Sequence, residues 1–410
     1  MSALSSLDPE IVRSLLVQHT IEETAQQLTQ LFPGQRGFSV SSIRRFMQKN
    51  NIVKQQRLTQ DELEAKVHEA TSEVGGTYGR RMMQGYLRAG GVTASQRRIR
   101  AAQAIIAPSY VSNRRVNAQR QMNPQPYRAD YFGYNMHMDQ NEKLAMYGVV
   151  FVIAIDGLTA FITRAAVMPR KNNQTIYESV FAASVTDYGL WDKVIVDKGR
   201  EFFLCLFIQH YLKDFRVRPD ETESSRRPCY AQVTSQKNNR VERVWNEVNQ
   251  RVGYPIKKAI REMEGNESFN SSNQAHLFAS SILGCTVAEV MLSRCVGAWN
   301  YRSVEGMGKP VDYIPDKRNY VLPNEVLPSS ADAVQLYRST GHHLTDEWSF
   351  GVDPLLGHDD KIISRNQKFW SEIEVSYGGA RGLANELAQH NYAPFQNSIT
   401  RFVQLSNSLL

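Results

Sequence analysis

Around residues 134–139 apolar and polar side chains alternate, with Tyr134, Met136 and Met138 set against Asn135, His137 and Asp139. A period of two predicts a strand with one face in a core. Residues 149–155 are an unbroken apolar run, which suits a strand covered on both faces. Asp156-Gly157 turns the chain and residues 161–168 return it, so the three strands form a meander. Residues 172–188 read as an amphipathic helix with Ile176, Val180 and Val185 inward. A strand at 194–196, a helix at 201–212 and a short strand near 229–233 follow. Residues 238–252 form a helix whose inner stripe is Val241, Val244, Trp245, Val248 and Val252. This order predicts a mixed α/β domain over 131–266.

The helical period dominates before that domain. Asp8-Pro9-Glu10 and Thr20-Ile21-Glu22-Glu23 are helix starts, Pro33-Gly34 is a break, and residues 39–50 make a third helix. Its outer face carries Ser41, Ser42, Arg44, Arg45 and Gln48. Residues 1–56 therefore read as a helix-turn-helix unit. The plan recurs over 57–106, where Leu58-Thr59-Gln60-Asp61-Glu62 starts a helix and Gly75-Gly76 and Gly90-Gly91 punctuate. The third helix of this unit is expected to turn Arg97, Arg98 and Arg100 outward. Residues 107–130 lack periodicity and read as an extended basic linker. Residues 267–303 look helical, and 304–410 read as loops with short amphipathic segments and no motif.

Charge sharpens this division. Residues 75–130 hold ten Arg and one acid, a balance of +9, within a net charge of +7 for all 410 residues. A basic excess confined to one stretch favours a polyanionic partner, and Arg suits forked phosphate contacts. The linker arginines, Arg114 and Arg115 among them, are placed to follow a phosphate backbone. Cys205, Cys229, Cys285 and Cys295 show no zinc spacing and read as reduced thiols. No secretory signal is visible at residues 1–8, and no apolar run reads as a membrane span, so no membrane partner is expected.

Three carboxylates stand at structural punctuation. Asp139 is expected at the end of the first strand, and Asp197 at the end of the fourth. Glu242 opens a helix after the polar loop 235–239. Acids gathered at strand ends repel one another unless a cation neutralises them. All-oxygen ligands suit Mg²⁺ or Mn²⁺, and two such ions roughly 3.5–4 Å apart serve phosphoryl transfer. Around them Asp156 and Glu201 are expected to cap a turn and a helix, His137 to be a hydrogen-bonded structural residue, and Trp245 to be core. Lys143 is open to a phosphate contact or a plain surface role. Arg240 and Arg243 could hold the strand being cut or face solvent.

Asp139, the segment Asp197-Lys198-Gly199-Arg200-Glu201-Phe202 and the segment Asn239-Arg240-Val241-Glu242-Arg243-Val244-Trp245 together resemble the catalytic motifs of DDE transposases and retroviral-type integrases. Residues 137–144 followed by Ala154-Ile155-Asp156-Gly157 resemble the integrase-core-domain proteins of eukaryotic genomes. The resemblance, over about residues 10–300, implies an RNase H-like five-stranded mixed sheet with flanking helices, behind tandem helix-turn-helix units. It implies a polynucleotidyl transferase in which Asp139, Asp197 and Glu242 bind two Mg²⁺ or Mn²⁺ ions. It implies cleavage of double-stranded DNA at element ends, transfer of a 3′-hydroxyl into target DNA, a homo-oligomer, and work in the nucleus. DNA would be held by Arg44, Arg45, Arg97, Arg98, Arg100, Arg114, Arg115, Arg240 and Arg243.

The chain departs from retroviral integrases in three ways. The gap from Asp197 to Glu242 is longer, suggesting an insertion over 213–234. The His/Cys zinc module is absent. Asn246 and Asn249 are expected on the catalytic side of their helix, where retroviral relatives often carry basic groups. The competing readings are a domesticated DNA-binding protein without catalysis and an RNase H-fold nuclease.

Overall fold

The computed structural model describes residues 4, 7–19, 21–52, 58–108, 110, 127–216, 226–234, 238–315, 320–323, 325–344 and 347–410. Three helices, α1 (Pro9–Gln18), α2 (Ile21–Leu31) and α3 (Val40–Lys49), come first. The side chains of Asp8 and Ser39 cap α1 and α3. These helices close a small core of their own around Leu16, Leu28, Ile43 and Phe46.

The next three helices, α4 (Gln60–Val74), α5 (Arg80–Ala89) and α6 (Gln96–Ile106), do not stand alone. Thr59 and Glu62 form the reciprocal capping box that starts α4. Leu63, Met83 and Ile99 then join the same hydrophobic core as the sheet and the C-terminal helices.

The sheet comprises β1 (Met136–Leu144), β2 (Val149–Asp156), β3 (Ile162–Met168), β4 (Val194–Val196) and β5 (Tyr230–Gln232), in the order β3-β2-β1-β4-β5. β1, β2 and β3 pair antiparallel as the predicted meander, and β4 and β5 add in parallel. The helix before β4, α7, runs as Asn173–Ile176, a π-helical Tyr177–Ala182 and Ala183–Tyr188. A turn at Arg200–Phe202 leads into α8 (Phe203–Tyr211). Both α7 and α8 cover one face of the sheet, where Met136, Met138, Val150 and Val152 point. The other face, with Phe151, Ile153 and Ile155, meets α9 (Asn239–Val248), α10 (Tyr254–Gly265) and α11 (Gln274–Tyr301).

Three expectations change. First, the helix bearing Glu242 does not stop at residue 252: a π-helical Asn249–Gly253 links α9 to α10. Pro255 lacks an N–H for a regular helical bond, and the widened turn before it keeps the helix continuous. Second, residues 304–410 are not mainly loop. They contain α12 (Ser330–Ser339), α13 (Asp359–Tyr377), α14 (Gly379–Ala388) and α15 (Ala393–Ser408), and Phe369, Leu387, Phe395 and Phe402 enter the main core. Third, α11 is 28 residues long and, by length and composition, apolar enough to cross a membrane. Its small polar residues masked this apolar average, and Ser280 and Ser281 bond to the Tyr147 and Gly148 carbonyls. With Leu283, Val287 and Ala298 buried, it is the central core helix of this fold.

Candidate active site

The alternation in β1 builds the site. Met136 and Met138 go to one face, so His137, Asp139 and Asn141 face α9. Buried polar groups need partners, and each of the three finds one at the other element. His137 Nδ1 lies 2.7 Å from Asn238 Oδ1. Trp245 Nε1 donates to Asp139 Oδ2 at 2.8 Å. Asn141 Nδ2 donates to Asn249 Oδ1 at 2.9 Å. The Asn238 amide also donates to the Met138 carbonyl at 3.1 Å, which leaves its oxygen to accept from His137 Nδ1. His137 Nε2 then accepts from the Tyr127 hydroxyl, 2.8 Å away. Burial, with the Arg240 charge adding to it, pushes the His137 pKa down to about 4, so the ring is neutral at physiological pH. The structural reading of His137 holds.

Asp139 is 5% exposed. It lies inside β1 rather than at its end, because pairing with β2 continues through Asn141 and Leu144. The parallel pairing with β4 is shorter and joins Met136 to Val194 and His137 to Ile195. Continued by two residues, that register sets Asp197 level with Asp139 on the same face of the sheet. Asp197 Oδ1 accepts from the Gly199 amide at 3.0 Å, a local turn that holds the carboxylate at the strand tip. Glu242 is in the first turn of α9, exposed beside the buried stripe of Val241, Val244, Trp245 and Val248.

The three carboxylates feel one another. Burial raises the Asp139 pKa to about 7, against the bonds from Trp245 and the Gln140 amide, and Glu242 and Asp197 raise it further. Burial also raises Glu242, with Lys143 opposing and Asp197 adding. Among the described residues, no three His, Cys, Asp or Glu side chains are gathered closely enough to hold a metal ion as they stand. The donor set nevertheless fits a hard divalent cation. It is all oxygen, and a carboxyl disfavoured in its charged form by burial, and further by neighbouring acids, is what such a cation stabilises.

The surrounding residues divide clearly. Asp156 is wholly buried and accepts from the amides of Gly133, Leu158 and Thr159, the Thr159 hydroxyl and the Trp191 indole, so it is the turn cap expected. Glu201 does not cap its helix. It is buried and pairs with Lys171 at 3.5 Å, and Lys171 also holds Glu142 of β1 at 2.5 Å. Gly199 makes room for this, since a Cβ there would meet the Glu201 carboxylate at 2.5 Å. Lys143 is exposed and lies 5.7 Å from the Tyr254 ring centroid. Asn246 is exposed as expected, but Asn249 is buried against Asn141 and unavailable to a ligand.

Of the predicted DNA-contact residues, Arg44, Arg45, Arg97, Arg100 and Arg243 are exposed. Arg44 lies 3.7 Å from Glu22. Arg98 is half-buried and donates to the Leu58 carbonyl at 2.6 Å, so it ties α6 to the start of α4 rather than facing outward. Arg240 is half-buried and stacks on Tyr127 at 4.3 Å. Arg114 and Arg115 lie outside the described residues, as does Thr20. Sequence reasoning missed Tyr127, Asn238 and Lys171, and missed the hydrogen bond made by Trp245. The polar run 137, 139, 141 on a core-facing strand face was the available signal, since it demands polar partners across the layer.

A mixed sheet in this order, flanked by helices on both faces, with one acid inside β1 and another just past the end of its parallel neighbour β4, defines an RNase H-like domain. Residues 127–309 match the family model for the integrase core domain. The match runs from Tyr127, through β1–β5 and α9, to the end of α11 and just beyond. No curated protein matches the chain.

Proposed function

We propose that the protein is a transposase or integrase that cuts DNA and joins a 3′-hydroxyl to target DNA in a metal-dependent reaction. The observation that carries this reading is the parallel β1–β4 register, which, continued two residues, sets Asp197 level with Asp139, with the Glu242 helix hydrogen-bonded to β1 through Asn238, Trp245 and Asn249. Asp139, Asp197 and Glu242 would hold Mg²⁺ or Mn²⁺. When bound, a pair of such ions supplies Lewis acidity to the attacking and leaving oxygens of an in-line displacement. The chain's own contribution is positional. β1 and β4 fix two carboxylates, and α9 brings the third on a longer, freer side chain. The attacking oxygen, from water in cutting and from a DNA 3′-end in joining, forms a bond to phosphorus as the 3′-oxygen of the cut strand leaves. Neutral His137 holds Asn238, and so the start of α9, against β1. A homo-oligomer is part of the proposal, because joining two element ends to one target needs paired sites.

The test is incubation of purified protein with Mn²⁺ and labelled duplex DNA. Nicking by the wild type that is lost in Asp197→Asn supports catalysis. Equal inactivity of both, with DNA binding intact, favours a domesticated DNA-binding protein. Products that are cut but never joined to a target plasmid favour a nuclease.

A further inference from the structure

β4 is three residues long and ends at Val196, so the sheet does not itself hold Asp197 or the turn that follows. Within that turn the Gly199 amide donates to Asp197 Oδ1 at 3.0 Å. The Glu201 carboxylate folds back against Gly199, where a Cβ would meet it at 2.5 Å. Gly199 has a φ of -69°, which any residue adopts, so the glycine serves this close approach and not an unusual backbone angle. The seat of Asp197 thus depends on where Glu201 is held.

Both holds come from one short stretch where β3 passes into α7. Asn173 Nδ2 donates to the Arg200 carbonyl at 2.9 Å and to the Glu201 carbonyl at 3.0 Å. Lys171 Nζ lies 3.5 Å from Glu201 and 2.5 Å from Glu142 of β1. Among the described residues no other cation lies within ion-pair distance of Glu201, which is 7% exposed. A carboxylate buried that far is costly without its partner. The stretch is itself braced. Asn172 caps α7 by accepting from the Thr175 amide at 2.9 Å, and its Nδ2 donates to the Glu347 carbonyl at 3.3 Å. Arg170 reaches the Glu347 carboxylate at 2.5 Å and lies 5.2 Å from the centre of the Phe350 ring. Glu347 and Phe350 lie beyond the stretch that matches the integrase core model, so the brace comes from outside it.

We propose that Lys171 and Asn173 are positioning residues: they clamp residues 200–201 and so set the Asp197 carboxylate for a divalent ion. The inference rests on the metal-binding role proposed above for Asp197. The path is continuous. Lys171 and Asn173 hold Glu201, Glu201 packs on Gly199, and the Gly199 amide orients Asp197. Groups that orient a metal ligand from behind typically change metal affinity by about 10–100-fold.

The test compares Lys171→Met, Asn173→Ala and Lys171→Arg in the purified full chain without DNA. Deuterium exchange of a peptide covering residues 197–202 reads the clamp, and Mn²⁺ titration by calorimetry, in the cold, reads its consequence. Loss of either hold is expected to speed exchange in that peptide about tenfold while peptides from β2 and α11 stay as in the wild type. Mn²⁺ affinity falls by about tenfold or more in Lys171→Met and Asn173→Ala, and Lys171→Arg, which keeps the cation, stays near the wild type. Faster local exchange with unaltered Mn²⁺ affinity overturns the proposal, because the clamp would then hold the fold and not the ligand. Unaltered exchange overturns it outright. Faster exchange in all peptides shows a role in general stability and overturns it too. A wild type that binds no Mn²⁺ refutes the metal-dependent function instead, and the exchange result still decides whether Lys171 and Asn173 hold the turn that carries Asp197.

Discussion

The indole of Trp245 donates its single N–H to Asp139 Oδ2 at 2.8 Å, inside a core where both residues are 5% exposed. Trp245→Phe keeps the ring and deletes the donor. Loss of a buried bond to a carboxyl group is expected to cost ~1–3 kcal/mol, read as a lower urea midpoint. Mn²⁺-dependent nicking should fall further than stability does, because the bond orients the carboxyl group that faces the other two acids. Nicking at the wild-type rate would show that packing alone holds Asp139.

Asp139→Asn should stabilise the metal-free protein in a pH-dependent way. In the folded state burial, with help from Glu242 and Asp197, holds this carboxyl near 7, while an unfolded Asp titrates near about 3.9. Between those values the folded form keeps a proton that the unfolded form has lost, so wild-type stability falls as pH rises from about 4 to 7. Asn carries no such penalty. The variant's melting temperature should exceed the wild type's at pH 8 and match it near pH 4. Mn²⁺ should raise the wild-type value at pH 8 and leave the variant's unchanged. An equal difference at both pH values would contradict the burial argument.

Asp156→Asn should behave in the opposite way. Asp156 Oδ2 accepts from the Gly133 amide at 2.9 Å and the Trp191 indole at 3.2 Å, while Oδ1 takes three donors from the 158–159 turn. An Asn side chain must point its NH₂ at one of these sets of donors. A loss of about 3 kcal/mol or more is expected, visible as a lower melting temperature with or without metal. A variant as stable as wild type would remove Asp156 from the scaffold.

Gly85→Ala tests how firmly α4–α6 belong to the core. Alanine in a helix is ordinarily better than glycine by about 0.5–1 kcal/mol. Here its methyl would press on the Ala298 carbonyl at 2.0 Å, a backbone atom that cannot swing away. Overpacking of this kind costs ~1–3 kcal/mol, so the melting temperature should fall despite the gain in helix propensity. A rise would mean that α5 and α11 can separate freely.

Much of this architecture is legible in local pattern. The alternation at 134–139, the apolar run at 149–155 and the short β-branched strand before Asp197 each predict the strand observed. The reading of 304–410 as loops with short segments misses the helices of 359–408 for a definite reason. Arg365 occupies a core position of α13, wholly enclosed and paired with Asp353 at 2.5 and 2.8 Å, so a charged residue interrupts the apolar period. The stop at residue 252 failed because Gly253 and Pro255 look like a terminus, while a π-helical turn lets the helix pass. Arg98 looks like a surface residue because periodicity cannot show that Leu58 returns to take its charge.

By itself, then, the sequence determined which residues alternate, and that Asp197 and Glu242 stand at a strand tip and a helix start, because these follow from near neighbours and the two backbone periods. Only the tertiary structure decided that Asp139 lies inside β1, which face of β1 meets α9, and that Trp245 is the partner of Asp139. Those pairings depend on how distant elements pack, and a contact between residues a hundred positions apart leaves no periodic trace in either segment.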